Sequence, residues 1–307
     1  MYYPYLRGKQ NELILLREQA KLISKSKIIP IIEPVKKNIN PLNRAITQLD
    51  EYGTSYILIV NPTIGDLKEK NSLILENIDN YRNIIIGITI TEESILEDII
   101  FLIEKFKKYE IAIIHQGYTE GKELSQYTLK YQNIKKHIFV NTEQNKLYQR
   151  NFKKQGERIL IRDSFHKKTN SSYHEEEHFS DLHITYDEEG MDGFGDFLIV
   201  GSNYSESGGP ARAVAIHLTY LKESDDDNMF IKHFISDRVE GVSDPGGKFL
   251  EALKKLVENI SKYENVFDTN ACNEYKKLYE KEHFPGLGYV KKLSMQHHLE
   301  IIANFLD

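Results

Sequence analysis

The sequence predicts an α/β fold built on a parallel barrel, and three observations carry that expectation. Six short apolar runs in the first half each stop on a polar residue: Ile28–Ile32 into Glu33, Tyr56–Val60 into Asn61, Ile84–Ile90 into Thr91, Ile111–Ile114 into His115, His137–Val140 into Asn141, and Arg158–Ile161 into Arg162 and Asp163. Continuous β-branched runs of this length read as strands buried on both faces, the mark of a parallel sheet covered by helices. Their starts, at 28, 56, 84, 111, 137 and 158, leave room each time for a strand, a turn and a helix. Two more apolar runs, Phe197–Val200 and Ala213–Tyr220, bring the strands to eight, the number of a (β/α)8 TIM-like barrel.

The elements follow in order. Asn40 is an N-cap with Pro41 at the first helical position and Gly53 as the stop, which predicts a helix over Pro41–Tyr52. Glu93–Tyr109 carries Ile95, Leu96, Ile99, Ile100, Leu102, Ile103 and Phe106, a helix face of period 3.6. Thr142–Gly156 is a weaker helix closed by Gly. After Asp163 the rhythm breaks: Ser164–Ser180 is polar, rich in His and Glu, and reads as a long loop. Gly201–Arg212 is too short and too glycine-rich for the crossover that a parallel pair needs. Either the seventh unit of the barrel lacks its helix, or Ala213–Tyr220 and Met229–Ser236 form an antiparallel hairpin turning at Asp225–Asn228, in which case the sheet would be open. Helices are expected over Lys248–Tyr263, Ala271–Lys281 and Tyr289–Leu306. The expected organisation is a barrel domain over 1–245, with an irregular seventh unit, and a helical segment over 246–307 packed on it.

Composition narrows the function classes. Over 307 residues the net charge is −6, which argues against a non-specific nucleic-acid binder. The single cysteine, Cys272, allows no internal disulfide and fits a reducing cytoplasm. The opening MYYPYLRGKQNEL has no apolar core of a secretory signal. No run approaches the ~18 apolar residues of a membrane span, so no direct membrane contact is expected.

Chemistry is expected at the carboxyl ends of the strands, where parallel α/β proteins build their sites. Glu33, His115, Asp163, Asp196 and His217 are the candidate acid–base groups. Arg162 is the candidate clamp for an anionic group, with Asn61 and Asn141 beside it. His174-Glu-Glu-Glu-His178 satisfies the zinc-protease pattern H-E-x-x-H, but it sits in a polar stretch with no apolar stripe to anchor a helix, so a solvated acidic loop is the better reading. No metal and no cofactor is required. Gly208-Gly209-Pro210 matches no nucleotide-binding loop, and Asp192-Gly-Phe-Gly-Asp196 reads as a turn leading into the following strand. No strained serine elbow is present, and nucleophilic catalysis has no positive support.

Tyr3-Pro-Tyr-Leu-Arg-Gly-Lys-Gln-Asn-Glu-Leu13 and Pro30-Ile-Ile-Glu-Pro34 resemble the start of the Sce7725 family, which is similar in turn to the phage beta-protein group. The resemblance continues at Gly193–Phe197, Ala213–Tyr220 and His233–Asp237, nearly the whole chain. It implies a bacterial protein encoded beside a nuclease-like protein of the Sce7726 type, in a setting of phage defence, with nucleic acid touched only through that partner. It also marks Arg7, Lys9, Glu33, Asp196, His217, Thr219, His233 and Ser236 as site residues. Two functions compete: a defence component whose barrel binds an anionic ligand, and a stand-alone barrel enzyme acting on a phosphorylated or nucleotide-like small molecule.

Overall fold

A computed structural model of the chain describes residues 1–68, 70–141, 145–206, 212–262 and 267–307. In chain order its strands and helices are β1 (Tyr5–Leu6), α1 (Gln10–Lys25), β2 (Ile31–Ile32), α2 (Asn40–Glu51), β3 (Tyr56–Ile59), α3 (Ser72–Leu75), β4 (Ile84–Thr91), α4 (Leu96–Lys105), β5 (Ile111–Gln116), α5 (Gly121–Thr128), β6 (Ile134–Val140), α6 (Lys146–Arg150) and β7 (Glu157–Arg162). They continue as β8 (Glu176–Ser180), α7 (Leu182–Thr185), β9 (Gly193–Asp196), β10 (Ala215–Lys222), β11 (Asn228–Ile235), α8 (Pro245–Lys262), α9 (Asn270–Glu280) and α10 (Leu287–Leu306). They fall into two compact units, 1–163 with 185–197, and 164–184 with 198–307.

The first unit is the barrel. Its eight strands run parallel in the order β1-β2-β3-β4-β5-β6-β7-β9. The ring is brought nearly to closure by Tyr3 N donating to Phe194 O (2.8 Å) and Phe194 N donating to Met1 O (3.1 Å). Tyr3, Tyr5, Ile31, Ile57, Ile59, Ile85, Ala112, Ile114, Ile138, Ile159, Ile161 and Phe197 fill the interior. Side chains alternate along a strand, so every second residue of each strand belongs to this core and the rest face the helices.

Two strand assignments are corrected. Phe197–Val200 is a turn, buried through Ile199 and with Leu198 at φ 49, not a strand. Ala213–Tyr220 contributes to an antiparallel strand outside the barrel, so the pairing with Ile28–Ile32 expected to close the ring is not made. The places of these two strands are taken by β1 and β9. β1 is two residues long and lies in an aromatic stretch with no β-branched run. β9 is the Gly-Phe-Gly-Asp segment, read above as a turn. Its composition has a physical cause: a Cβ on Gly195 would lie 2.0 Å from Tyr3 O and 2.5 Å from Ile161 Cδ1. A Cβ on Gly193 would likewise lie 2.8 Å from the ring of Tyr3, so only glycine leaves Tyr3 room to pass beside this strand.

The second unit is an antiparallel sheet of order β10-β11-β8 with α8, α9 and α10. It therefore begins upstream of the expected boundary near 246, taking in residues 164–184 and 198–245. The hairpin turns through Asp226 and Asp227, both at positive φ (51° and 60°). One sheet face, Val214, Ile216, Leu218 and Phe234, packs on Phe249, Leu253 and Leu256 of α8 and on Tyr275 and Leu293. Buried Lys248 donates to the carbonyls of Arg212, Glu240 and Gly241 at 2.6–2.9 Å, which satisfies its three N–H bonds. Ser207–Ala211, including the Gly-Gly-Pro motif, lies outside the described residues, as does Thr142 at the start of the expected sixth helix. Among the described residues no helix is long and apolar enough to cross a membrane.

Candidate functional site

Parallel strands deliver their carboxyl ends to one rim, and at this rim the barrel places a buried ion pair. Arg7, one residue past β1, pairs through Nη1 with Glu33 Oε2, one residue past β2. Glu33 is fully buried. Its Oε2 also accepts from Tyr5 Oη (2.9 Å), and its Oε1 accepts from both the backbone N and the Oγ1 of Thr63 (2.9 Å each). The guanidinium carbon of Arg7 sits 4.8 Å from the Tyr5 ring centroid and 5.2 Å from that of Phe197. Burial, with the Glu33 charge next, pushes the Tyr5 hydroxyl well above its usual range, so it stays a donor. Gly8 makes the approach possible. It adopts φ +60, and a Cβ there would crowd the Glu33 carbonyl at 3.1 Å. Lys9 is the N-cap of α1, and its N–H donates to Glu12 Oε2 (3.2 Å).

Around the rim, alternation decides which residues face inward. Asn61 continues the inward series of Ile57 and Ile59 and clasps the backbone of Thr89, with Nδ2 donating to Thr89 O (2.7 Å) and Oδ1 accepting from Thr89 N (2.9 Å). Gly87 faces Ile57, Ile59 and Ile114, so Thr89 faces the same way. Gln116 follows inward Ala112 and Ile114 on the next strand. Thr89 Oγ1 and Gln116 Oε1 are both buried and have no hydrogen-bond partner. Asn141, at φ 48, uses Oδ1 to accept from Asp163 N (2.8 Å). Arg162 follows inward Ile161, so it lies on the helix-facing side, in register with Asp196. Buried Asp196 accepts from Tyr2 Oη (2.7 Å) across the closing seam.

His115, expected at the mouth, faces the helical layer instead, because Ile114 and Gln116 hold the inward positions. Its Nδ1 meets Tyr148 Oη (2.7 Å) and its Nε2 meets His137 Nδ1 (2.9 Å), between the rings of Phe139 and Phe152. Burial holds His115 well below its usual 6.5 and takes His137 down to about 3. Both are neutral packing groups.

The other predicted residues belong to the second unit. His217 and His233 face each other across β10 and β11 with Nδ1 atoms 2.6 Å apart. Tyr173 stacks on His233 (4.4 Å), and Phe165 meets His217 edge-on (5.2 Å). Burial first, then the mutual charge, lowers His217 to about 3, and burial lowers His233 to about 4. Thr219 Oγ1 bonds His298 Nδ1 (2.9 Å). Ser236 Oγ accepts from Val214 N (3.1 Å) and donates to Arg238 O (2.8 Å), closing the base of the hairpin. His178 of the HEEEH motif lies on strand β8 and bonds Asn228 (2.9 Å), while Glu176 pairs with Lys232. Residues of a strand rise about 3.3 Å each, so His174 and His178 do not share an ion as they would on a helix. Among the described residues no three His, Cys, Asp or Glu side chains are placed to hold a metal ion.

Sequence reasoning missed Tyr5, Thr63, Thr89 and Gln116. Counting period 2 from the middle of each apolar run, rather than taking the first polar residue after it, selects Gln116 over His115 and Thr89 beside Thr91.

Fold and rim together define a protein class: a nearly closed eight-stranded parallel barrel whose mouth carries a saturated carboxylate paired with a guanidinium and, among the described residues, the buried Thr89 Oγ1 and Gln116 Oε1 without hydrogen-bond partners. Neither a protein-family model nor a curated protein matches the chain.

Proposed function

We propose that this chain is a ligand-binding barrel, one component of a bacterial phage-defence pair whose other member is a nuclease-like protein, and that its mouth takes an anionic small molecule. The observation that carries the reading is the state of Glu33. A general base needs a lone pair open to substrate, and four donors already occupy this carboxylate. Its role is to hold Arg7 in one orientation, stacked on Tyr5 and Phe197, as a preset cation for a phosphate or carboxylate. Thr89 Oγ1 offers a further donor to the anion, and Gln116 Oε1 an acceptor for a hydroxyl or N–H elsewhere on the ligand. The histidines that a catalytic reading would use are turned outward (His115) or lie in the other unit (His217). The partner half of the proposal rests on the family resemblance. The net charge of −6 supports leaving nucleic acid to that partner.

The competing enzyme reading would use the same anchors on a phosphorylated or nucleotide-like molecule, and one experiment separates the two. The chain is co-expressed with its nuclease-like neighbour, purified through one tag, and challenged with phage in vivo. The isolated chain is melted with and without inorganic phosphate or a nucleoside monophosphate. A co-purifying complex, protection that is lost in Gln116→Leu with the complex intact, and anion stabilisation without turnover support the proposal. Turnover of the nucleotide selects the enzyme. Absence of both a complex and an effect on infection overturns the defence role.

A further inference from the structure

Helix α4 turns one apolar face to the fold and carries a single large apolar side chain, Phe101, on the opposite, charged face. Only Ile99 and Ile103 are buried; Leu96, Ile100 and Leu102 are half-buried. Phe101 is 65% exposed and Ile95, at the N-cap, 59%. A large aromatic held outward between charged residues is a side chain that interfaces use as an anchor. The charges around Phe101 are ordered. Glu92, Glu93, Glu97 and Asp98 are exposed at the N-terminal end, and Lys105, Lys107 and Lys108 at the C-terminal end, where the one exposed acid, Glu104, pairs with Lys107 and accepts from Tyr131 Oη. Acids first and bases last also suit the helix's own dipole, so the charges alone decide nothing. Their spacing about the exposed ring does: Phe101 lies four residues, about 6 Å, from both Glu97 and Lys105.

We propose that α4 is a self-association surface, pairing antiparallel with α4 of a second copy of this chain about a two-fold axis close to Phe101. A two-fold interface must be self-complementary. Antiparallel packing about Phe101 sets the acidic end of each helix beside the basic end of the other, and covers the Phe101 ring of each copy. A parallel arrangement would bring like charges together. Lys108 already pairs with Asp79 (2.8 Å) and Lys107 with Glu104 (3.8 Å), so Lys105 is the base that faces Glu97 of the other copy.

Sedimentation equilibrium of the full chain tests this. Wild type should show a reversible monomer–dimer equilibrium. Phe101→Ser should raise the dimer Kd by more than about tenfold, with an unchanged circular dichroism spectrum and melt, since Phe101 is exposed. Glu97→Lys and Lys105→Glu should each weaken the dimer, and the double swap should restore it. A chain that stays monomeric to ~100 μM, a dimer indifferent to Phe101→Ser, or a double swap that restores nothing overturns the proposal. A monomer that captures a different protein through Phe101 overturns the self-pairing and assigns the face to that partner.

Discussion

At the scale of single residues, the barrel mouth holds two kinds of polar group that respond oppositely to removal. Glu33 is saturated, and taking it away leaves the guanidinium of Arg7 buried without its counter-charge. Breaking one side of such a pair costs about 3–5 kcal/mol. Glu33→Ala should therefore lower the urea midpoint sharply, and a variant as stable as wild type would show the pair to be dispensable. Thr89 is the reverse case. Its hydroxyl is buried without a partner, and a buried unmet hydroxyl is a cost to folding. Thr89→Val keeps the shape and removes that cost, so it should melt at or above the wild-type temperature, by up to about 1 kcal/mol, while the stabilisation given by an added anion shrinks. That trade of stability against binding is expected where a polar atom is kept for a ligand. A Thr89→Val protein that is markedly less stable would mean that the hydroxyl serves the fold.

Among the elements, β9 decides whether the ring closes. A Cβ at Gly195 meets the carbonyl of Tyr3 at 2.0 Å, and that residue's N–H makes a closing hydrogen bond to Phe194. Backbone cannot yield as a side chain tip can, so Gly195→Ala should destabilise by several kcal/mol in the manner of overpacked cores. Gly246→Ala is the matched control, since its Cβ would find Phe284 no nearer than 3.5 Å. Equal soluble yield and equal denaturation midpoints for the two variants would refute this account of the seam. The same element marks the limit of what the sequence discloses. β2 to β7 were legible because each is a β-branched run with helix-length spacing, α2 because of its cap, proline and glycine stop, and α4 because of its apolar stripe. The closing strands were not, because their close approach is made by Tyr3 on one side and Gly193 and Gly195 on the other, residues that read as loop. Ala213–Tyr220 has the composition of a barrel strand, and only its short approach from Gly201 hinted at antiparallel pairing. At the site, Glu33 and Asn61 could be found from their place after a run. His115 could not be rejected without the strand's phase, and the partner of Glu33, Arg7, became meaningful only once β1 was known to be a strand.

At the scale of the whole molecule, five histidines among the described residues are buried and held below their usual range: His115, His137, His217, His233 and His297. Burial is the first cause in each. It holds His115 well below 6.5 and brings the others to about 3, 3, 4 and 4. His297 shows the chemistry most plainly. Its Nε2 donates to Thr219 O (2.7 Å) and its Nδ1 faces Thr269 Oγ1 (2.8 Å), which itself accepts from Cys272 N (3.2 Å). The ring thus needs one proton and a lone pair, and a second proton would displace the Thr269 donor. Unfolded, each of these histidines titrates near 6.5, so below that pH the unfolded chain binds protons that the folded chain does not, and stability falls as pH falls. The contribution is fully present above pH 6.5 and is lost progressively from there towards 3–4. At pH 5.5 a histidine held at 3–4 costs about 1.4 kcal/mol, so His137, His217, His233 and His297 together remove about 6 kcal/mol, a large share of what holds a typical domain together. Urea midpoints should therefore agree at pH 7.5 and 8.5 and drop steeply between 6.5 and 5.5. His137→Phe, which replaces a ring already packed on Phe152 (4.6 Å), should flatten that drop by about one proton's worth. A midpoint unchanged from pH 7.5 to 5.5 would mean that these rings accept protons in the folded state and are not sealed as the packing indicates.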